Sequence, residues 1–143
     1  MEYPQQKLEK RWIQHGITPD IVLWAESFGH KLCEETDGKK PLTTGQLRKF
    51  FGEIKRIEAN ADMNLTDLLM LKPLLAYAVG RDKNNQGKNR TKIDEFAKEI
   101  TKGIDAVIEG PEKERKSYFN NFVNIFEAIV AYHKFYGAKE NLR

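Results

Sequence analysis

Apolar residues recur at intervals of three and four along most of this chain, which is the spacing of one face of an α-helix. The clearest case is the stretch from Leu42 to Ala61, LTTGQLRKFFGEIKRIEANA. This stretch predicts one amphipathic helix, with Thr43 or Thr44 as its N-terminal cap. Its apolar positions share one face: Leu47, Phe50, Phe51, Ile54, Ile57 and Ala61.

The same spacing predicts helices on both sides of this stretch. The first runs from Ile21 to Glu35, with Asp20 behind a proline as its start signal. Another runs from Asn64 to Val79 and is apolar nearly all round, which favours a buried position. Pro73 lies inside it and should kink or split it, because proline lacks an amide donor and clashes with the preceding turn.

Two helices are predicted in the last third of the chain. One runs from Ile93 to Ile108 and is ended by Gly110 and a following proline. The last runs from about Glu112 to Tyr136, and its many aromatic residues indicate the central helix of the core. His133 lies on its apolar face, where a hydrogen-bonded buried imidazole is the usual case.

These elements predict an all-α fold, a single-domain helical bundle of about five or six helices with a long aromatic-rich C-terminal helix. No segment alternates with period two, and no internal repeat is visible. The domain is expected to span residues 1–143, with a polar N-terminal lead at residues 1–19. Residues 80–92 contain no apolar side chain and should form a mobile basic loop.

Composition narrows the class of protein. The sequence has no long apolar run and no apolar N-terminal segment of signal type, so neither a membrane partner nor secretion is expected. Cys33 is the single cysteine, which excludes an internal disulfide and a multi-cysteine zinc site. A cytoplasmic location is therefore the default expectation.

The net charge of +3 is unevenly distributed. Residues 42–92 carry 10 basic and 5 acidic side chains, a net of +5, whereas the segments before and after them each carry −1. Because Lys and Arg that neutralise phosphates dominate sequence-independent affinity for nucleic acids, a polyanion is expected to bind the middle third.

Four cations lie opposite the apolar face of the Leu42 to Ala61 helix and form two parallel rows with Gly52 between them: Arg48, Lys49, Lys55 and Arg56. Glycine within a helix is destabilising, and the close approach of a phosphodiester backbone would be one reason to keep it. A solvated face, with Glu53 and Glu58 pairing locally with the lysines, is the plain alternative.

Tyr77 precedes Arg81 by one helical turn, just ahead of the basic loop. An arginine beside a tyrosine can bind a phosphate and stack on a base or sugar. Alternatively, Tyr77 belongs to the core and Arg81 helps to cap the helix C-terminus. The loop itself adds further cations: Lys83, Lys88, Arg90 and Lys92.

Signatures of enzymes are absent from the sequence, which has no glycine-rich phosphate loop, no hydrolase elbow, no HExxH and no CxxC. Its three histidines are far apart, and a thiolate pair with Cys33 lacks a local signature. Adjacent carboxylates such as Asp94 and Glu95 point in different directions on a helix. We therefore expect no catalytic residue, no metal site and no cofactor.

Three strings in this order and spacing resemble the small subunit of the type III-A CRISPR effector, the Csm ribonucleoprotein complex. They are LTTGQLRKFFGEIKRIE at residues 42–58, LKPLLAYAVGR at 71–81 and FVNIFEAIVAYHKFYG at 122–137. The resemblance implies a small helical protein without its own catalytic site, present in several stacked copies along a filament. It would help to hold target RNA on the guide through backbone contacts, as part of antiviral defence.

The implied partners are CRISPR RNA, target RNA, a large polymerase-like subunit, repeated backbone subunits and further copies of the chain itself. The basic positions that fall within the strings are Arg48, Lys49, Lys55, Arg56, Lys72 and Arg81. Gly52 and the loop residues Lys83, Lys88 and Arg90 are added from charge and position alone. A helical protein-protein adaptor or self-associating scaffold without RNA contact, using the aromatic last helix, stays open as the alternative.

Overall fold

The computed structural model describes residues 7–60 and 62–137, and within them the fold is all-α. This part of the chain contains six α-helices and one short 3-10 helix (η1): α1 Lys10–His15, α2 Pro19–Leu32, α3 Thr44–Ala59, α4 Leu65–Arg81, α5 Ile93–Ile108, η1 Glu112–Glu114 and α6 Arg115–Phe135. In the described ranges, extended pairing is limited to three isolated bridges. The predicted all-α bundle is confirmed.

Helix α6 is the centre of the bundle. It packs against α1, α2, α3 and α5, while α4 packs on α3 and α5 at one side. Phe126 lies at the middle of α6, with its ring centroid 5.7 Å from that of Phe50 and 6.1 Å from that of Phe96. These edge and tilted ring contacts join three helices, so the aromatic C-terminal helix is the central core element that the sequence predicts.

Helices α2 and α6 approach closely at Gly29. A Cβ at this position would lie 2.9 Å from the backbone nitrogen of His133 and 2.9 Å from Cβ of Tyr132. Since real Cβ atoms essentially never come so close, the absence of a side chain at Gly29 allows the two helices to meet backbone to backbone.

The N-terminal segment differs from its prediction. Residues 1–19 were expected to be a polar lead, but Trp12 and Ile13 on α1 are buried against the bundle, as is Leu8. A six-residue helix is too short for its apolar period to be recognised. Residues 1–6 lie outside the described ranges.

Helix α2 begins two residues earlier than predicted, at Pro19, and Thr18 is its N-terminal cap. The Oγ1 of Thr18 accepts a hydrogen bond from the backbone N–H of Ile21 at 3.3 Å. Asp20 therefore lies in the first turn and is not the cap. The helix ends at Leu32 and not at Glu35, because the chain then turns towards α3.

Helix α3 starts with a capping box. Thr43 Oγ1 accepts from the backbone N–H of Gln46 at 3.1 Å, and Gln46 Oε1 accepts from the backbone N–H of Thr43 at 2.9 Å. Thr43, and not Thr44, is thus the cap. The predicted apolar face is buried at four positions, Phe51 is half-buried, and Ala61 lies outside the described residues.

The Asn64 to Val79 helix differs in part from its prediction. Helix α4 runs unbroken through Pro73, so of the two predicted effects of this proline a split is wrong, and a kink stays a prediction. Nor is the helix buried: three residues pack inwards, Leu68, Leu71 and Leu75, while four large ones are exposed, Leu65, Leu69, Met70 and Tyr77. Because α4 lies at the side of the bundle, only one of its two apolar faces meets the core.

The C-terminal helices agree well with the sequence. Helix α5 has the predicted bounds, Ile93–Ile108. The last helix was expected from Glu112, where the chain forms η1 before becoming α-helical at Arg115. His133 is buried as predicted, and its Nε2 donates to the backbone carbonyl oxygen of Leu42 at 2.7 Å.

Candidate nucleic-acid interface

A groove of about 580 Å³ lies between the first half of α3, the second half of α4 and the segment that follows α4. We call it the α3–α4 groove. Its cations are Lys49, Arg81 and Arg90, which come from three separate segments of the chain. None of the three has an ion pair with a described residue. The fold therefore gathers unneutralised positive charge from distant sequence positions at one place.

The lining of the α3–α4 groove is partly apolar. Phe50 and Phe96 are buried at its floor, while Leu74 and Ala78 are half-buried along its α4 side. Tyr77 lies in the same groove and is 63% exposed. The alternative that Tyr77 belongs to the core is therefore wrong, and its ring is accessible beside Arg81.

Asp82 fixes the chain after α4 at the edge of the groove. Its carboxylate is buried and accepts hydrogen bonds from the backbone N–H of Thr91 at 2.9 Å and from Thr91 Oγ1 at 3.0 Å. Gln46 Nε2 in turn donates to Thr91 Oγ1 at 2.8 Å. These hydrogen bonds fix the Asp82 carboxylate to the far end of the loop, so the acid holds the loop in place at the edge of the groove.

Segment 80–92 is tied down at both ends. The backbone N–H of Arg90 donates to the carbonyl oxygen of Asp82 at 3.1 Å, and that of Asn84 donates to the carbonyl oxygen of Lys88 at 2.8 Å. Gly87 makes the turn between them with φ +76°. The predicted mobility of this loop stays a prediction, but any movement has to occur between anchored ends.

Lys92 was counted among the loop cations but does not face solvent. It is fully buried, and its Nζ donates to the carbonyl oxygen of Lys31 at 2.7 Å, near the C-terminal end of α2. Burial lowers the pKa of Lys92. Lys92 thus provides a hydrogen-bond donor to a backbone carbonyl group at the C-terminal end of α2.

Two of the remaining loop cations, Lys88 and Arg90, line a second cavity of about 760 Å³. Lys39 and Lys40 also line it, but Lys39 pairs with Asp94 at 2.7 Å and Lys40 with Glu35 at 3.4 Å. Lys83 is exposed nearby in sequence. Arg90 lines both cavities and therefore connects the α3–α4 groove to the loop.

Lys55 and Arg56, one cation from each of the two predicted rows on α3, are paired with acids. Lys55 Nζ lies 2.5 Å from Glu58 and 2.6 Å from Glu127, and hydrogen bonds to Glu127 and Glu58 raise the pKa of Lys55 to about 12. Arg56 lies 2.9 Å from Glu53 and 3.6 Å from Asp67. For these two residues the plain alternative of local pairing is correct, although Glu53 pairs with Arg56 and not with Lys49.

Lys72 is also paired, because its Nζ lies 2.8 Å from Asp105 on α5. Gly52 is exposed, and a Cβ built there would meet nothing within 4 Å. Arg48 is exposed on α3 but does not line the groove. The structure thus separates two groups of sequence-predicted cations. Those at the groove or loop are Lys49, Arg81, Lys83, Lys88 and Arg90, and those paired with carboxylates are Lys55, Arg56 and Lys72.

A model of the family Csm2 Type III-A matches residues 19–139. The chain belongs to this family. It is therefore a small subunit of the type III-A CRISPR effector complex, as the three strings indicated. No curated protein and no solved structure matches the chain.

In this Csm2 chain Cys33 and His133 both make hydrogen bonds to backbone carbonyl oxygens. Cys33 Sγ donates to the backbone carbonyl oxygen of His133 at 3.0 Å, and burial raises the pKa of Cys33 to about 11. The imidazole of His133 bonds elsewhere, so the two do not form a thiolate pair. Among the described residues, no group of three or more His, Cys, Asp or Glu side chains could hold a metal ion. No described helix is long and apolar enough to cross a membrane.

Three residues that position the Csm2 groove were missed from the sequence: Gln46, Asp82 and Thr91. Asp82 is the one acidic residue of residues 80–92. Its place directly after a helix and before a run of cations is a weak signal of an anchoring carboxylate. No sequence pattern shows that its partners lie in α3 and at the far end of the loop.

Proposed function

We propose that this subunit binds RNA through the α3–α4 groove and the adjoining basic loop. It contacts the sugar-phosphate backbone and helps, without catalysis of its own, to hold target RNA paired to CRISPR RNA in the cytoplasm. The observation that carries the proposal is the convergence of Lys49, Arg81 and Arg90 on one groove with no described acid paired to them.

Physical chemistry supports a backbone-binding role for such a surface. Arginine presents a planar fork of donors that matches phosphate oxygens, and lysine adds a point charge. Each neutralised phosphate releases condensed counterions, so affinity does not depend on sequence. Register can come from pairing to the guide, and no residue that reads base edges is required.

The structure favours one subset of the predicted site. Arg48, Lys49, Gly52, Arg81, Lys83, Lys88 and Arg90 belong to the proposed RNA surface. Lys55, Arg56 and Lys72 contribute less, because nearby carboxylates already neutralise them. An RNA strand would have to displace those carboxylates before it gained from these cations.

The test is a triple charge reversal in the assembled complex, with Lys49→Glu, Arg81→Glu and Arg90→Glu combined. We expect ultraviolet crosslinking of this subunit to target RNA to fall to background, while helical content by circular dichroism stays unchanged. The matched control combines Lys98→Glu, Lys113→Glu and Lys134→Glu, three exposed cations elsewhere with the same change in net charge. Crosslinking that survives the groove variant, or that falls equally in both, would refute this RNA surface.

A second role rests on the exposed apolar side of α4. Leu65, Leu69 and Met70 are 41%, 44% and 59% exposed, and Pro73 lies exposed between them and the groove. We call these four residues the α4 outer face. Apolar side chains grouped in this way mark a protein contact. The protein-contact alternative therefore moves from α6, which forms the core, to α4.

We propose that the α4 outer face contacts a neighbouring subunit of the complex, either another kind of subunit or a further copy of this chain. Leu69→Asp with Met70→Asp should abolish copurification with the complex after nuclease and high-salt treatment. Lys98→Asp with Lys113→Asp is the control, since both positions are exposed and remote from α4 in sequence. Full incorporation of the α4 variant would exclude this face as an interface.

A further inference from the structure

We infer that the α3–α4 groove receives one unstacked base of the bound RNA, with the base lying on the ring of Tyr77. The phosphates on either side of that nucleotide would then meet Lys49, Arg81 and Arg90. This inference rests on the proposed RNA-binding function and adds to it a base-binding site of stated chemistry.

The first support is the mixed character of the groove. Cations surround an apolar floor that contains Phe50, with Leu74 and Ala78 along one side. A site for the phosphate backbone alone needs no apolar surface, because the backbone has none to bury. A nucleotide, by contrast, combines an apolar base face with a charged phosphate, which is the same combination that the groove presents.

The second support is the exposure of Tyr77. A tyrosine that packs in a core buries its ring, whereas this one is 63% exposed within a concave surface. Arg81 follows it by one turn of α4 and lines the same groove. Aromatic rings that bind single-stranded nucleic acids sit in this way beside cations, because the ring takes the base while the cation takes the phosphate.

Size also fits a single nucleotide. The groove volume of about 580 Å³ lies in the range of small-molecule sites, roughly 300 to 1,000 Å³. It cannot admit a duplex, and the bases of a paired A-form helix keep their faces within the stack. The base that enters must therefore be unpaired or turned out of the helix.

The neighbourhood of the groove favours RNA over an acidic peptide. Lys49, Arg81 and Arg90 line the groove from three separate segments of the chain, and Lys88 lines the neighbouring cavity that shares Arg90 with it. Several cations in succession suit a polyanion with charge at every unit. An acidic peptide with one aromatic side chain is the competing occupant, and the experiment below separates the two.

The test compares two short oligomers of equal length for binding to the full chain. One is oligoadenylate, and the other is a ribose-phosphate oligomer that lacks bases. Fluorescence anisotropy should show that the wild-type protein binds oligoadenylate about tenfold more tightly, the order expected for one stacked base. Tyr77→Ala should remove this preference, and Tyr77→Phe should retain it. Phe135→Ala, which deletes an aromatic ring that is 74% exposed on α6, should change nothing.

Equal binding of the two oligomers by the wild-type protein would overturn the inference, as would a preference that persists in Tyr77→Ala. Tighter competition by an acidic aromatic peptide than by oligoadenylate would also overturn it. Should the isolated chain bind neither oligomer, the assembled complex decides, using target RNA substituted with 5-iodouracil. Tyr77 lies in the tryptic peptide of residues 57–81. A photocrosslink to this peptide that disappears in Tyr77→Ala supports the base site, and a wild-type protein without this photocrosslink refutes it.

The two proposals fail in different ways. If the triple charge reversal abolishes RNA binding while Tyr77→Ala leaves the oligomer preference intact, backbone binding stands and the base site falls. If the charge reversal leaves RNA crosslinking intact, the proposed function itself falls. Tyr77 is exposed, so its replacement should not disturb the fold, and circular dichroism of each variant checks this.

Discussion

Gln46 and Thr91 are joined by a hydrogen bond of 2.8 Å from the side-chain amide to the hydroxyl, although they lie 45 residues apart. Gln46 also completes the capping box of α3 with Thr43. The residues that begin α3 therefore also fix the end of the basic loop. Through this contact, Lys49 on α3 and Arg90 on the loop are brought to the same groove.

Asp82→Ala should destabilise the protein and loosen the loop. It removes the acceptor for two hydrogen bonds from Thr91, one from its amide and one from its hydroxyl. Buried donors left without a partner cost about 1 to 3 kcal/mol, so the free energy of unfolding in urea should fall by that amount. Hydrogen exchange at the Thr91 amide should accelerate as well.

Asp62→Ala is the control for this change, because Asp62 is exposed and its side chain has no described partner. It should leave both stability and exchange unaltered. Unchanged exchange at Thr91 in Asp82→Ala would show that the carboxylate does not anchor the loop.

The cations of the α3–α4 groove and the acid-paired cations of α3 should respond differently to neutralisation. Lys49→Gln with Arg81→Gln should lower RNA affinity and reduce the slope of log affinity against log salt by about 0.7 for each lost phosphate contact. Lys55→Gln with Arg56→Gln should have a smaller effect, because Glu127 and Glu53 already pair with these cations. Salt titrations of the assembled complex measure both pairs of variants, and equal losses would contradict the distinction.

Alanine should have opposite effects at Gly52 and Gly29. At Gly52 it should raise the free energy of unfolding by about 0.5 to 1 kcal/mol, since the position is inside a helix and open. At Gly29 it should lower that quantity by about 1 to 3 kcal/mol, because the new methyl group meets the backbone of α6 at 2.9 Å. Urea denaturation of the two variants measures both changes.

A larger side chain at Gly52 tests the RNA path. Gly52→Gln should fold normally but weaken crosslinking if the RNA backbone passes close to α3 between Arg48 and Lys55 on one side and Lys49 and Arg56 on the other. Ala59→Gln, which adds the same side chain at another exposed position on α3, controls for altering the helix surface. Crosslinking at the wild-type level in Gly52→Gln would place the RNA away from this part of the helix.

Stability should decrease in mild acid because of His133. Burial holds the pKa of His133 below its ordinary value of about 6.5. The unfolded chain therefore takes up this proton before the folded one, and the free energy of unfolding falls as pH drops below about 6.5 towards the folded-state pKa. Urea denaturation between about pH 7.5 and pH 5 measures the slope. His133→Gln should flatten it, whereas His15→Gln, at an exposed position, should not.

Local periodicity explains how much of the fold was predictable. The bounds of α5 were predicted correctly, because its apolar spacing and its glycine-proline stop are encoded within a few residues. The buried face of α3 follows from the same kind of information. Helix α1 escaped detection because six residues are too few to establish a period.

The buried face of α4 could not be predicted from local periodicity. Its sequence is apolar nearly all round. The spacing of its apolar residues therefore does not show whether both apolar faces are buried or only one. Which face of α4 packs against the bundle depends on the positions of α3 and α5. Met70 and Leu71 are neighbours of similar hydrophobicity, yet one is 59% exposed and the other 2%.

The order of residues alone was enough for the all-α class, the amphipathic α3 helix, the basic middle third and the Csm2 family, since each depends on short-range pattern or on similarity along the chain. Tertiary structure alone decided which cations are available. Lys55 contacts Glu127, 72 positions later. Lys92 is buried with its Nζ on the carbonyl oxygen of Lys31, while Lys49, Arg81 and Arg90 line one groove. The physical reason is that charge neutralisation and burial depend on which surfaces come together on folding, and that information is spread over the whole chain.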